Sequence, residues 1–408
     1  MMWVRLSDLQ FYGTRKEETK MKRIFSLVIL VALLLMALPL SALAAPPEPV
    51  DCDQEYTVAL ADWLSNLSDL FYGDALKYPA IILATNMKAG SDDSYAIVVD
   101  PNLIEPGQKL CVPSAEDADA LLSSSVRVHL ETKDIGPNNP FWQTVWDGAD
   151  NMAQKWQGVI EYTVNAPTSE LDVDVQIAQL EDAITTGAAV LVVAPTDASA
   201  LNPTFDRAKE AGIPVLIIDS NTTWADKLTF IGTDNVAGGR LAGEYLCAEF
   251  GDGGKVAIIT GQETSASIAD RVKGAQEAFD ACGLDVVASI NGEHSREGGL
   301  RAMEDIMTSN PDVQGVFAIN DNSALGAVEA LKTANKVGDV LVVGFDANPD
   351  AVTSIVAGEM AASVAQAPAN MGAYGMSWGL NAVLGLPVEP LVDTGTTLVT
   401  AANAAQFQ

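Results

Sequence analysis

The sequence predicts an α/β protein of two doubly wound, Rossmann-like lobes, preceded by a small α+β module. Three observations carry this. Short apolar runs recur at 126–130, 159–164, 189–193, 215–218, 256–260, 286–290, 315–319 and 340–343, and helical patterns fill most of the gaps between them. Some runs, such as Val190-Leu191-Val192-Val193, are apolar on both faces, as a buried parallel strand requires. The chain has 408 residues, and eight strands over roughly 280 residues suit two sheets better than one.

Composition narrows the function. Hydrophobic residues make up 48%, which excludes a disordered chain. The formal net charge of -31 excludes nucleic acid as a partner, because phosphate binding needs clustered Lys and Arg. An acidic surface keeps an exported protein soluble.

Residues 1–44 read as a signal peptide. Met21-Lys22-Arg23 is a basic start, 24–38 is almost wholly apolar, and Ala42-Leu43-Ala44 suits cleavage. Arg15, Lys16, Glu17 and Glu18 fit such a segment poorly, so Met21 is the expected true start. The apolar run is short for a membrane span, which makes an uncleaved anchor the lesser alternative. All four cysteines lie beyond it, as in an oxidising compartment. Cys52 pairs with Cys111 and Cys247 with Cys282 in the expected scheme, although the sequence leaves other connectivities open. The cysteines are too scattered, and the two histidines too few, for a metal site.

After a proline-rich spacer, Tyr56-Thr57-Val58 reads as a strand. Leu64, Leu67, Leu70 and Phe71 have helical spacing, 80–84 suggests a second helix, and 101–113 ends in a turn and a strand. Residues 114–125 (SAEDADALLSSS) read as a linker, with a short helix possible at 116–122. Through Tyr56-Thr57-Val58, Asp62, Leu64, Asn86 and the ending NLIEPGQKLCVP, residues 52–113 resemble a LysM module. The resemblance implies a strand-helix-helix-strand unit that binds peptidoglycan or another N-acetylglucosamine polymer. Ala61-Asp62-Trp63-Leu64 replaces the family's Gly-Asp-Thr-Leu, and about a dozen residues are inserted at 87–99. Both departures touch the family's glycan groove, so a structural remnant is the competing reading.

The first run of the larger region leads into DIGPNNPFWQTVWDGA at 134–149. Val145, Ala149, Met152 and Trp156 continue it as a helix. Asn138 or Asn139 can cap that helix, and Pro140 suits its first turn. Phe141 and Trp142 are large rings at a corner that needs neither. Other strand ends carry Asp219, Asn320 and Asp346, with Arg271 and His294 following two more. Ligands of open α/β sheets bind beyond the carboxyl ends of the strands. Asn, Asp and Arg present paired donors or acceptors in a plane, and rings offer flat apolar faces. A sugar has hydroxyls at its rim and C–H groups on its faces, so this set suits a sugar. Singly, each residue has a plainer role: Asp219 and Asp346 as caps, Arg271 as a surface residue, Phe345 as core, His294 in a loop. Trp146 and Trp156 are expected to pack against the sheet.

With NNPFW at 138–142, APTD at 194–197, AGIPV at 211–215, GTDN at 232–235, VFAIND at 316–321, VVGFDANPD at 342–350 and AQAP at 365–368, residues 126–408 resemble the type I periplasmic sugar-binding proteins of ABC importers, the ribose-binding branch above all. The resemblance implies a type I periplasmic-binding-protein fold with three crossings near Thr233, Gln366 and Asp393. Lobe 1 would be 126–233 with 367–392, and lobe 2 would be 234–366 with 393–408. Carried over, the sugar contacts are Asn139, Phe141, Trp142, Asp219, Arg271, Asn320, Asp346 and Gln366. His294 stands where the branch has a stacking phenylalanine. Ser220 departs from the branch, which has an arginine there, and this puts ribose itself in doubt. The implied function is extracytoplasmic capture of a monosaccharide or polyol by a monomer, with delivery to an ABC transporter permease and no cofactor. A sugar sensor for a receptor is the first alternative. A wall-glycan enzyme using Asp219 and Asp346 is the second, but Gly-x-Ser-x-Gly, His-Glu-x-x-His and a complete phosphate loop are all missing from the sequence.

Overall fold

A computed structural model describes residues 50–123, 125–135, 139–251 and 253–407. The signal peptide expected at 1–44, and Asn138, lie outside these residues.

The N-terminal module is built from β1 (Gln54–Thr57), α1 (Leu64–Tyr72), α2 (Tyr78–Ala89) and β2 (Lys109–Val112). The two strands pair antiparallel, with Tyr56 opposite Leu110, and Cys52 is bonded to Cys111. Asp62 ties the first loop by accepting from the Tyr56 hydroxyl at 2.8 Å and the Ala59 N–H at 2.7 Å. Asn86 pins the segment inserted before the last turn, exchanging two hydrogen bonds with the Val98 backbone. Helix α2 is longer than the expected 80–84. Residues 79–86 are buried in succession, because the module's sheet covers one side of the helix and the larger region covers the other. The segment expected as a linker carries α3 (Ala115–Leu121). The Ser114 hydroxyl caps it by accepting from the Asp117 N–H, and Ala118 and Leu121 are buried. Those two residues lie three apart on one helical face, so the segment packs down and is not a free tether.

Beyond it lie two six-stranded sheets. In the first, β3 (Val126–Glu131), β4 (Ile160–Asn165), β5 (Val190–Val193), β6 (Val215–Ile218), β7 (Phe230–Gly232) and β13 (Leu391–Asp393) run in the order β13-β7-β6-β5-β3-β4, all parallel. In the second, β8 (Lys255–Thr260), β9 (Asp285–Asn291), β10 (Gly315–Ala318), β11 (Leu341–Asp346), β12 (Ala362–Ala365) and β14 (Thr397–Thr400) run in the order β14-β12-β11-β10-β8-β9. Only β14 is antiparallel to its neighbour there. The chain passes between the sheets after β7, after β12 and after β13. These are two α/β lobes of the doubly wound type. Within lobe 2, Cys247 is bonded to Cys282.

Lobe 1 is closed by α4 (Pro140–Lys155) lying against α12 (Pro368–Val383). Gly148 and Gly372 permit that approach: a Cβ at Gly148 would overlap the Ala369 carbonyl oxygen, and one at Gly372 the Val145 carbonyl oxygen. Trp156 is wholly buried and donates through Nε1 to the Ser377 hydroxyl at 3.1 Å, while Trp146 donates to the Thr132 hydroxyl at 3.0 Å. Ile81 and Leu83 of α2 share one continuous apolar core with Trp156, Met371 and Trp378. The module and lobe 1 are therefore joined by buried side chains as well as by chain.

Candidate functional site

The lobes face each other across a cleft at the carboxyl ends of both sheets. All nine residues singled out for the ligand line one inner cavity: Asn139, Phe141, Trp142 and Asp219 from lobe 1, Arg271, His294, Asn320 and Asp346 from lobe 2, and Gln366 at a crossing. The cavity holds about 30 Å³, against about 10–15 Å³ for one water and roughly 300–1,000 Å³ for ordinary small-ligand pockets. A second pocket of about 800 Å³ shares Asn139, Glu170 and His294 with it.

Backbone strain concentrates here. Asp219 has φ 58°, His294 φ 56° and Asp346 φ 109°, a region that costs side-chain-bearing residues of order 1–3 kcal/mol each. Each sharp turn near a strand end brings its side chain to the wall of the cavity.

In lobe 2, Arg271 is buried on α8 (Ala266–Cys282). Its Nε donates to Asn235 Oδ1 at 2.8 Å and its Nη1 to the Ile319 carbonyl at 2.9 Å. Its guanidinium lies 3.8 Å over the Phe345 ring and 3.6 Å from Asp346 Oδ1. Arg271 is no surface residue, and Phe345 is both core and the platform beneath it. Gln366 Nε2 donates to Asp346 Oδ1 at 2.7 Å. Burial pushes the Asp346 carboxyl up to about 7, although Arg271 and the Gln366 hydrogen bond pull the other way. Behind it, Asp321 is pushed well above the usual range by burial and by the charge of Asp346. Asn320 is shared between two roles. Its Oδ1 caps α10 (Asp321–Thr333) by accepting from the Ser323 N–H, while its Nδ2 donates to the His294 carbonyl at 3.4 Å.

In lobe 1, Asn139 stands at the N-cap of α4, but its side chain caps nothing; Nδ2 donates instead to Glu170 Oε1 at 3.3 Å. Pro140 occupies the first turn. Phe141 and Trp142 pack edge to face, 5.0 Å between centroids. Trp142 Nε1 also donates to Glu170 Oε1, at 3.0 Å.

Two residues at this site escaped the sequence reading. Lys133 follows β3, and its ammonium lies 2.7 Å from Asp219 Oδ2 with both side chains buried. The cation that the ribose branch places directly after the aspartate is absent at Ser220, yet a cation reaches the same carboxylate from another strand. Ser220 instead faces lobe 2, its hydroxyl accepting from the Ser267 N–H at 3.1 Å. Glu170 follows β4 and faces His294 Nδ1 at 3.3 Å across the cleft. Burial raises its carboxyl, but the His294 ring, Lys133, the Trp142 hydrogen bond and Arg271 outweigh that, and it lies below the ordinary glutamate value. His294 lies below the usual histidine value, chiefly through burial. Its Nε2 accepts from the Gln262 N–H at 2.8 Å, which places the ring proton on Nδ1, facing Glu170. Neither directly ends an apolar strand, since Lys133 stands two residues past β3 and Glu170 five past β4, so the rule that finds Asn320 and Asp346 passes over both.

The arrangement supplies planar donors and acceptors from two separate bodies, plus two rings from one. Among the described residues, no cluster of three or more His, Cys, Asp or Glu could hold a metal. The sequence matches a family model described as a periplasmic binding protein domain over residues 136–386. It is 37% identical over 261 residues to the ribose import binding protein of Salmonella typhimurium, covering 64% of this chain and 84% of that one. It is 34% identical over 286 residues to the D-ribose/D-allose-binding protein of Pseudomonas aeruginosa, covering 67% and 89%. A solved ABC transporter solute-binding protein from Agrobacterium vitis with bound D-fucose superposes with a TM-score of 0.66 at 31% identity, covering 68% of this chain and 96% of that one. With two parallel-sheet lobes around a shared cleft and a family match over most of its length, the chain belongs to the periplasmic binding protein domain family.

Proposed function

We propose that this protein is the extracytoplasmic binding component of an ABC importer. It captures a monosaccharide or polyol between its lobes as a monomer and delivers it to a permease. The observation that carries this is the convergence of nine polar and aromatic residues from both lobes on one hinged cleft. Closure removes water, so each hydrogen-bonding group left unpaired by a wrong sugar costs about 1–3 kcal/mol. Binding shifts the population toward the closed form, which a permease can recognise. The relatives named for ribose, allose and fucose support a sugar ligand here, as does their shared role as binding components and not catalysts. Seven polar side chains for a sugar's hydroxyls and two rings for its faces favour this reading over turnover by Asp219 and Asp346. Thermal melting against a panel of pentoses, hexoses and inositols tests it, because a bound ligand raises the melting temperature by mass action. A panel in which no sugar raises it refutes the proposal.

The N-terminal module supports a second role, gripping wall glycan. Its two loops close on one another, the Val58 N–H donating to the Gln108 carbonyl and the Gly107 N–H to the Val58 carbonyl. Leu60, Trp63 and Leu103 stand exposed on them. The flat Trp63 ring, flanked by apolar leucines, suits the face of an N-acetylglucosamine ring. Co-sedimentation with purified peptidoglycan should be lost in Trp63→Ala; sedimentation that persists unchanged would count against these loops.

A further inference from the structure

We propose that Ser220 is a latch between the lobes: it caps helix α8 of lobe 2 from lobe 1, and so favours the closed cleft without a ligand's help. Helix α8 begins at Ala266, and Ser265 stands at its N-cap, yet the Ser265 side chain caps nothing. The first N–H groups of a helix have no partner within it, and the hydroxyl of an N-cap serine ordinarily accepts from one of them. Here the Ser267 N–H donates to the Ser220 hydroxyl oxygen at 3.1 Å instead. Ser220 follows β6, so lobe 1 supplies the cap that the helix of lobe 2 lacks. Ser220, Ser265 and Ser267 are all buried. Two further links lie beside this one. The Ala198 N–H of lobe 1 donates to the Thr264 carbonyl of lobe 2 at 2.9 Å, and the Ser220 and Ser265 hydroxyls stand 3.3 Å apart. Residues 264–267 thus form a seam against the segments that follow β5 and β6.

The seam stands apart from the ligand's own contacts. Among the described residues, the wall of the inner cavity includes Ser267 but not Ser220. The cap forms whenever the lobes meet, with or without a ligand. An N-cap hydroxyl shifts the equilibrium it acts on by roughly 2- to 30-fold. A ligand that needs the closed form binds with its intrinsic affinity scaled by the closed fraction. Ser220 therefore sets the affinity of every ligand by one common factor. A residue that touches the sugar would set it by a factor that changes with the sugar. The affinity half of this proposal rests on the sugar reading above; the closure half does not.

Distances between spin labels test the latch in the full chain. All four cysteines are bonded in pairs, so labels attach only at Glu210→Cys in lobe 1 and Glu304→Cys in lobe 2, both exposed positions. The protein is unfolded in urea and refolded to strip any sugar it carries. Without sugar, the labels should show a closed and an open population. Ser220→Ala should shift their ratio toward the open one by roughly 2- to 30-fold. Ser220→Thr keeps the hydroxyl and should restore the wild-type ratio, which a mere loss of packing at this position would not allow. Calorimetric titration with D-ribose, D-allose and D-fucose reads the second half: Ser220→Ala should weaken each sugar that binds by the same factor, within about twofold. An unliganded wild type that is wholly open, a ratio unmoved by Ser220→Ala, or a loss that differs from sugar to sugar overturns the proposal. If the ratio shifts and no sugar of the wider panel binds, the latch stands and the sugar reading falls.

Discussion

Replacing Lys133 by methionine should destabilise lobe 1 through a charge left behind, and the size of the loss follows from the burial of its partner. Lys133 and Asp219 lie 2.7 Å apart with side chains only 3% and 4% exposed. Removing one member of such a pair strands the other in a poorly solvated place and costs about 3–5 kcal/mol, whereas removing both is often near neutral. Lys133→Met and Asp219→Ala should each lose that amount, and the double variant should lose less than either. Tryptophan fluorescence during urea unfolding reads this out in the right lobe. Of the seven tryptophans, Trp142, Trp146, Trp156, Trp224 and Trp378 sit in lobe 1, Trp63 sits in the module, Trp3 falls outside the described residues, and residues 234–366 have none. With a slope of about 2–3 kcal/mol per molar urea, each single change should lower the midpoint by about 1–2 M. A double variant that falls by the sum of the two singles would refute the reasoning, because independent losses mean that the two charges do not compensate one another.

Asp346 should give the protein a distinctive pH response. Its carboxyl is raised from 3.8 to about 7 in the closed cleft, so its contribution to stability is fully present below the lower value and is lost as pH rises through the higher one. Wild-type melting temperature should therefore fall between about pH 4 and 8 relative to Asp346→Asn, whose amide cannot ionise; parallel curves would count against it. Gly372→Ala places a methyl group against the Val145 carbonyl, and should cost about 1–3 kcal/mol in the same fluorescence assay unless α4 and α12 can part freely. Serine at both Cys52 and Cys111 opens a bridge spanning 59 residues, worth about 4 kcal/mol by loop entropy. Hydrogen exchange should then quicken in α1 but not in α10, and equal protection in α1 would contradict this.

The strands with paired apolar faces were legible in the sequence because burial on both sides leaves no polar alternation. Strands β7 and β13 have three residues each and show no period at all. Helix α12 was missed for the opposite reason: residues 375–381 are buried in succession, so no single apolar stripe marks a face. At the site, Asn320 and Asp346 stand out because polar residues directly end apolar strands. Lys133 and Glu170 do not. A lysine after a strand is ordinarily solvated, and the burial of Lys133 depends on Ser265 and Ser267, 132 and 134 positions away. Glu170 sits in a loop whose partner His294 belongs to the other lobe. What was illegible is what the closing of two lobes creates.

Helix α4 has 16 residues, about 24 Å at 1.5 Å per residue. Its first turn carries Phe141 and Trp142. Its last meets the N-terminal module, where the Tyr78 hydroxyl bonds the Lys155 carbonyl and the Lys155 ammonium pairs with Asp100 at 3.1 Å. Mechanically it is a strut. It couples the module to the buried core of lobe 1 and touches the module through its last turn. The rings of the cleft and the N-terminal module thus sit at opposite ends of one rod.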